Sequence, residues 1–220
     1  MIGKIKQINF KSLLILNTFG LIVTSYFFKN FILIGVFILS FFVSLLTTKN
    51  GLEIIRKLNL LQNIRTEGPA SHYKKSDTPT MGGIFMIIPF LIFLLIITIN
   101  LGSLKLFLLL FTIFGFFITG FLDDYLSIKN KENTGLKTKE KFILQSIISI
   151  IFIFLAYEKN LINPLITISE SWGIDINIFI LPISFLVLVG ISNSVNLTDG
   201  LDGLAAGCSG VVFYGLGTEI

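Results

Sequence analysis

One cysteine, one histidine and one tryptophan occur in 220 residues, and only 14% of the chain is charged. The lone Cys208 excludes a disulfide framework within these residues and reads as a small core side chain. The lone His72 cannot build a zinc centre, whose ligand sets draw on several His or Cys at short spacings. Hydrolysis through a histidine-bound metal cluster is therefore closed to these residues. Soluble domains carry roughly 25% charged residues. At 14% charged, 53% hydrophobic and a mean hydropathy of +0.87, this is the composition of a membrane protein. The net charge of +4 calls for no nucleic-acid partner, because topology accounts for it. No repeat period or low-complexity tract is visible.

What is present is a series of apolar runs, at residues 12–28, 31–47, 81–99, 104–122, 142–157 and 178–191. A seventh starts near Ala205. Most are near the length, about 17–25 residues, that spans hydrocarbon as a helix. Pro89 and Pro182 lie inside two of them, where neighbouring helices re-satisfy the freed carbonyls. The runs predict an all-α fold, a polytopic transmembrane bundle of six or seven helices forming one integral-membrane domain over 1–220. The basic N-terminus resembles a signal peptide, but no small-residue cleavage site follows and the segment reads as retained. Its first run either crosses or lies in the interface, since only Lys29 and Asn30 separate it from the second.

Basic residues orient the bundle. With the N-terminus and loops 49–80 and 123–141 on one side, 14 of the 17 Lys and Arg fall there. The positive-inside rule makes that side cytoplasmic and places 193–206 there as well. Trp172, between the last two complete runs, reads as an interfacial anchor on the outer side.

Four of the six aspartates then share the cytoplasmic face, as two clusters. Asp123 and Asp124 close an apolar run in GFLDDY. Adjacent carboxylates repel unless a cation or a strong donor stands between them. Hard oxygen ligands at a membrane boundary suit Mg²⁺, which takes one or two carboxylates plus substrate phosphates. In NLTDGLD, Asn196, Asp199 and Asp202 repeat at a spacing of three, so one helical stripe would carry an amide and two carboxylates. Helix capping accounts for one of these residues, not three. Lys137, Lys139 and Lys141 precede the run at 142; if the helix starts early, Lys137 and Lys141 share a face. Each is a topology marker or, beside acidic clusters and a metal, a point charge for phosphate. The remaining loop, EGPASHYKKSDTPTMGG, carries His72, Lys74 and Lys75, and its prolines and glycines shape it as an ordered connection. Acidic clusters, lysines and membrane helices together point to phosphate chemistry on a lipid. The residues by themselves do not name the substrates.

The segments EGPASHYKKSDTPTMGG, GFLDDY, GLKTKEKFILQ and NSVNLTDGLDGLAAG resemble, in the same order, those of the phospho-N-acetylmuramoyl-pentapeptide-transferases. These are the MraY branch of the polyprenyl-phosphate N-acetylhexosamine-1-phosphate transferase superfamily. The SHxxK…TPTMGG loop is similar to that branch in particular, ahead of the WecA-like branch that uses UDP-N-acetylglucosamine. The resemblance implies transfer of phospho-MurNAc-pentapeptide from UDP-MurNAc-pentapeptide to undecaprenyl phosphate. The products are lipid I and UMP in peptidoglycan synthesis, Mg²⁺ is the cofactor, and the site faces the cytoplasm of the bacterial inner membrane. It implies catalytic roles for Asp123, Asp124, Asp199 and Lys141, with Asp123, Asp124 and Asp199 on the metal side. It implies substrate binding by Lys75, Asn196, Asp199 and Asp202, with His72 and Thr78 structural or near the nucleotide. It also suggests a homodimer. One-step displacement and a route through an aspartyl phosphate both fit these residues.

Two departures stand out. Asp77 occupies a place where the family commonly has glycine, which adds negative charge beside an expected anion-binding loop. The chain also ends at Ile220, before the further helices, aspartate and histidine-rich loop that the resemblance leads one to expect; a fragment inactive by itself is the expectation. A non-catalytic, ion-binding membrane subunit is the reading from another class, since membrane carboxylates alone permit it.

Overall fold

A segment crosses hydrocarbon as a helix when about 20 residues are apolar and its backbone bonds close internally. The computed structural model describes residues 31–58, 60, 80–130, 135–169, 172–199 and 203–218. Six α-helices run through them in order: α1 (Phe31–Lys57), α2 (Gly83–Leu101), α3 (Leu104–Asn130), α4 (Thr138–Glu158), α5 (Ile180–Thr198) and α6 (Leu204–Thr218). Five helices are long and apolar enough to cross a membrane, and the sixth has a shorter apolar stretch, Leu204–Phe213. The helical, multi-pass architecture expected from the apolar runs is thus observed. The run at 12–28 lies outside the described residues.

Helix and apolar run do not share their boundaries. The run in α3 stops at Leu122, but the helix continues through Asp123 and Asp124 to Asn130. The acidic pair therefore lies inside a helix rather than terminating one. The reason is dimensional: 27 residues at 1.5 Å rise make roughly 40 Å, about 10 Å more than the hydrocarbon core. Hydropathy tracks the bilayer, whereas backbone hydrogen bonding has no cause to stop at its edge. Likewise α1 runs to Lys57, α4 begins at Thr138 and α5 reaches Thr198, so each expected loop is shorter than the polar sequence between the runs.

The outer connection also has structure that the apolar runs did not predict. Strands β1 (Leu165–Ser169) and β2 (Trp172–Asp175) pair antiparallel, with Leu165 opposite Asp175 and Ile166 opposite Ile174. Three consecutive β-branched residues in LITIS, Ile166 to Ile168, favour a pleated strand, a signal that a search for membrane runs passes over. The orientation of the Trp172 side chain, expected to be an anchor, lies outside what is described. A short 3-10 turn, Asn177–Phe179, leads into α5.

The chain divides into two compact units, Val43–Ile191 and a second made of Met1–Phe42 with Ser192–Ile220. Within the first, α3 packs against both α2 and α4. The buried positions are largely small or polar, Thr112 and Thr119 on α3 and Gln145, Ser149 and Ala156 on α4, with Leu108 and Ile153 among them. The bulky apolar side chains, such as Phe93, Ile99 and Phe154, point outward. This inversion is expected where lipid is as apolar as Leu, because helix association then depends on close packing and polar contacts. Gly115 lets α3 approach Ile148 of α4, since a Cβ there would lie 3.0 Å from its side chain. Thr98, Thr112 and Thr119 donate their hydroxyls to the carbonyls four residues back, at 2.7–3.0 Å, so they add no unsatisfied group.

Ser146 and Ser149 are exceptions, since neither Oγ has a hydrogen-bond partner, and Ser149 is the more deeply placed. It is 0% exposed. The residue is there for its size. Ser149→Ala is expected to leave thermal stability unchanged or slightly raised, whereas Ser149→Leu should cost about 1–3 kcal/mol by overpacking. Parallel melting curves of the two variants check this.

Candidate active site at one end of the bundle

The acidic pair on α3 is held by the start of α4. After Asn130 the chain returns so that the Leu136 N–H donates to Asp123 Oδ1 at 2.9 Å. One helical turn later, Lys141 Nζ donates to Asp123 Oδ2 at 2.8 Å. Helix α4 begins early enough for this because Glu140 accepts the Lys137 N–H at 2.9 Å, closing its first turn. The Asp123 side chain is 26% exposed and that of Lys141 17%, so the pair is screened less than a surface salt bridge and its hydrogen bonds are charge-assisted. Both oxygens of Asp123 are thus engaged.

Gly135 makes the return possible. A Cβ there would collide with the Asp123 carbonyl oxygen, so only glycine fits this approach. Among the three lysines at the head of α4, Lys141 turns to the acidic pair while Lys137 and Lys139 are exposed. The shared face anticipated for Lys137 and Lys141 is not used, because Lys137 caps the helix with its backbone.

Asp124 is half-buried beside Asp123 and Lys141, near the backbone of Met81. Met81 belongs to the TPTMGG segment immediately before α2 and has a left-handed backbone, with φ 63°. Thr80 in turn donates its N–H to Leu60, just past the end of α1, at 3.1 Å. On the same side, Gly51 of α1 lies so close to α2 that a Cβ would run into the Phe85 ring. The end of α1, the start of α2, the acidic part of α3 and the start of α4 therefore meet at one end of the unit.

Of the remaining expected site residues, Asn196 and Asp199 belong to the other unit. Asn196 lies in the last turn of α5. The Asp199 N–H still bonds to the Val195 carbonyl at 3.2 Å, so the ladder extends one residue past the helix and 196 and 199 keep a common side. Both are exposed. Gly203 follows with φ 82°, a left-handed turn suited to glycine, and its carbonyl accepts the Gly207 N–H that opens α6. The expected acidic stripe thus reaches Asp199, and Asp202 lies outside the described residues. His72, Lys75, Thr78 and the unusual Asp77 also lie outside them.

Sequence reasoning missed two contributors, Met81 and Gly135. Turn chemistry assigns left-handed backbone to glycine, so TPTMGG directs attention to Gly82 and Gly83. Gly82 instead has φ −60° and the methionine takes the special conformation. For Gly135 the signal was the glycine itself, standing just ahead of the lysines; what it approaches is not local in the chain.

Chemically, this end of the first unit offers one carboxylate clamped by a lysine and a backbone N–H, with a second carboxylate beside it. No group of three His, Cys, Asp or Glu side chains suited to enclose a metal occurs among the described residues. Two adjacent carboxylates do fit Mg²⁺, which keeps several waters and completes its shell with substrate phosphates.

Comparison with known proteins points in the same direction. The profile of glycosyl transferase family 4 matches residues 106–219. A phospho-N-acetylmuramoyl-pentapeptide-transferase of Prochlorococcus marinus (strain MIT 9312) is 84% identical over all 220 residues, which make up 62% of that protein. One from Prochlorococcus marinus subsp. pastoris is 59% identical over the same 220 residues, 61% of its length. A third, from Halalkalibacterium halodurans, is 40% identical over 185 residues, 83% of this chain and 57% of that protein. The chain thus spans about three-fifths of the length of its relatives.

Proposed function

The chain belongs to glycosyl transferase family 4, and from that premise we propose that it is part of a phospho-N-acetylmuramoyl-pentapeptide-transferase. The whole enzyme moves phospho-MurNAc-pentapeptide from UDP-MurNAc-pentapeptide to undecaprenyl phosphate, releasing UMP and leaving lipid I in the bacterial cytoplasmic membrane. The observation that carries this reading is the Asp123–Lys141 clamp with Asp124 beside it, where four helix ends of a membrane bundle meet. The basic residues gathered in 49–80 and 123–141 support a site on the cytoplasmic side, where a nucleotide sugar is available.

Phosphoryl transfer asks the protein mainly for positioning and for charge to offset the phosphates. Lys141 supplies a fixed positive charge, and its bond to Asp123 keeps that ammonium from swinging into solvent. Asp123, with both oxygens occupied, acts as the anchor. Asp124 retains capacity to accept further bonds, so it is the carboxylate that meets the lipid phosphate or the cation. Mg²⁺ would be held chiefly by Asp124, with Asp123 and Asp199 the other metal-side residues that the family resemblance implies, and would offset charge on the pyrophosphate. Asn196 and Asp202 serve the nucleotide, as do Lys75, His72 and Thr78 of the SHxxK…TPTMGG loop. An oxygen of undecaprenyl phosphate attacks the β-phosphorus of the UDP-sugar, and the bond to UMP breaks.

The reading is tested on the transferase at the length of its relatives, in membranes supplied with undecaprenyl phosphate. UDP-MurNAc-pentapeptide is expected to give UMP and lipid I, and UDP-N-acetylglucosamine neither. The reverse preference would move the chain to the WecA-like branch, and UMP from neither donor would return it to a non-catalytic role.

A further inference from the structure

We propose that Gly135 and Leu136 are positioning residues for Asp123 and, through it, for the Lys141 ammonium. This rests on the phosphoryl-transfer reading of the acidic pair given above. Gly135 lies against the main chain of Asp123, so close that a Cβ would collide with its carbonyl oxygen and carbon. The next peptide group bonds the side chain of the same aspartate, the Leu136 N–H donating to Oδ1 at 2.9 Å. One residue thus sets where the peptide can stand, and the next uses that place to hold a carboxylate oxygen. Neither has a side chain that could do chemistry itself.

A carboxylate on a helix has several rotamers, and a lysine on its four-carbon stem has more. A salt bridge between two such groups fixes neither, because the two can move together. A backbone donor is different, since it belongs to a peptide group whose place is set by sterics. With Oδ1 held by Leu136, Oδ2 is left to the start of α4, where Lys141 Nζ meets it at 2.8 Å. The residues between form one closed turn. The Lys137 N–H goes to Glu140 at 2.9 Å, and the Lys141 N–H goes to the Lys137 carbonyl at 3.0 Å. A displacement of Gly135 is therefore carried along the segment to the Lys141 ammonium. An ammonium has three donors, so the bond to Asp123 leaves Lys141 able to meet a phosphate oxygen. Where that charge stands relative to the transferring phosphoryl group governs the rate.

Two measurements on the full-length transferase test the proposal, and the first needs no activity. Protection of the Leu136 amide against hydrogen exchange should fall about tenfold on Asp123→Ala. Lys141→Met removes the other half of the clamp and should leave that amide protected. Gly135→Ala should lower its protection as far as Asp123→Ala does, and combining the two should add nothing further. Equal losses in Asp123→Ala and Lys141→Met would mean general fraying of α4, and the proposal fails. It fails too if Gly135→Ala leaves Leu136 protected.

The second follows lipid I synthesis. Gly135→Ala is expected to lower kcat about tenfold, with KM for the nucleotide sugar within about twofold. An ester in place of the Gly135–Leu136 amide, made by placing leucic acid at 136, removes the N–H and adds no side-chain atom. It should lower kcat by a similar factor. A role in loop closure alone predicts wild-type kcat for the ester, with Gly135→Ala changed only in melting temperature. That result, or a rise in KM with kcat unchanged, overturns the proposal. Should Asp123→Ala or Gly135→Ala not fold, the ester decides by itself. If the wild-type transferase makes no lipid I, the proposed function is what fails, and hydrogen exchange judges the Leu136–Asp123 contact separately.

Discussion

Asp124→Asn is expected to lower lipid I formation by about a hundred- to a thousandfold in the full-length transferase, with little change in melting temperature. Asparagine has the size of aspartate and keeps a carbonyl oxygen, so packing at this position is preserved. What disappears is the negative charge, and with it the capacity to meet a cation or take a proton from the lipid phosphate. Separation of the two effects is the informative part. A variant that melts normally but releases UMP at a hundredth of the rate assigns the charge to the reaction. Near-normal UMP release would refute that assignment. Asp123→Asn should behave differently, because Asp123 is engaged on both oxygens. It should lose stability together with activity.

Lys141→Met carries the second large effect. The lysine stem has a close apolar counterpart in methionine, so packing is largely preserved while the charge is removed. Asp123 is then left partly buried, with the Leu136 N–H as its one remaining donor of the two shown here. Loss of a hydrogen bond to a charged group costs about 2 kcal/mol, equivalent to a fall in melting temperature of roughly 5 °C for a chain of this size. Adding Asp123→Asn should recover part of that loss, since no charge then remains to be compensated. A thermal double-mutant cycle reads the coupling directly; additive losses would mean that the pair contributes nothing beyond its separate members. Activity should not return in the double variant, because the proposed phosphate-binding charge is still missing. Lys141→Arg restores the charge but presents a planar fork in place of a point donor, so its rescue should be partial.

How much of this was legible without coordinates varies by residue. The acidic pair announced itself, because two adjacent carboxylates at the end of an apolar run call for compensation. The partner of Asp123 did not: three lysines at 137, 139 and 141 are equivalent by composition, and the early start of α4 decides that Lys141 turns inward. Met81 was invisible for a stronger reason. Its distinguishing feature is a positive φ angle, which is not a property of the methionine side chain.

Amino-acid order alone determined that the chain forms membrane helices, because hydrocarbon leaves a long apolar segment no other way to close its backbone hydrogen bonds. It also placed the acidic residues at the ends of those segments, since charge is expelled from hydrocarbon. Tertiary structure decided how far each helix runs beyond its apolar run, and which donor meets which carboxylate. Those choices depend on contacts such as Gly135 with the Asp123 carbonyl and Lys141 with the Asp123 carboxylate, between residues 12 and 18 positions apart. Hydropathy and periodicity are local sums along the chain, and a hydrogen bond across that separation contributes to neither.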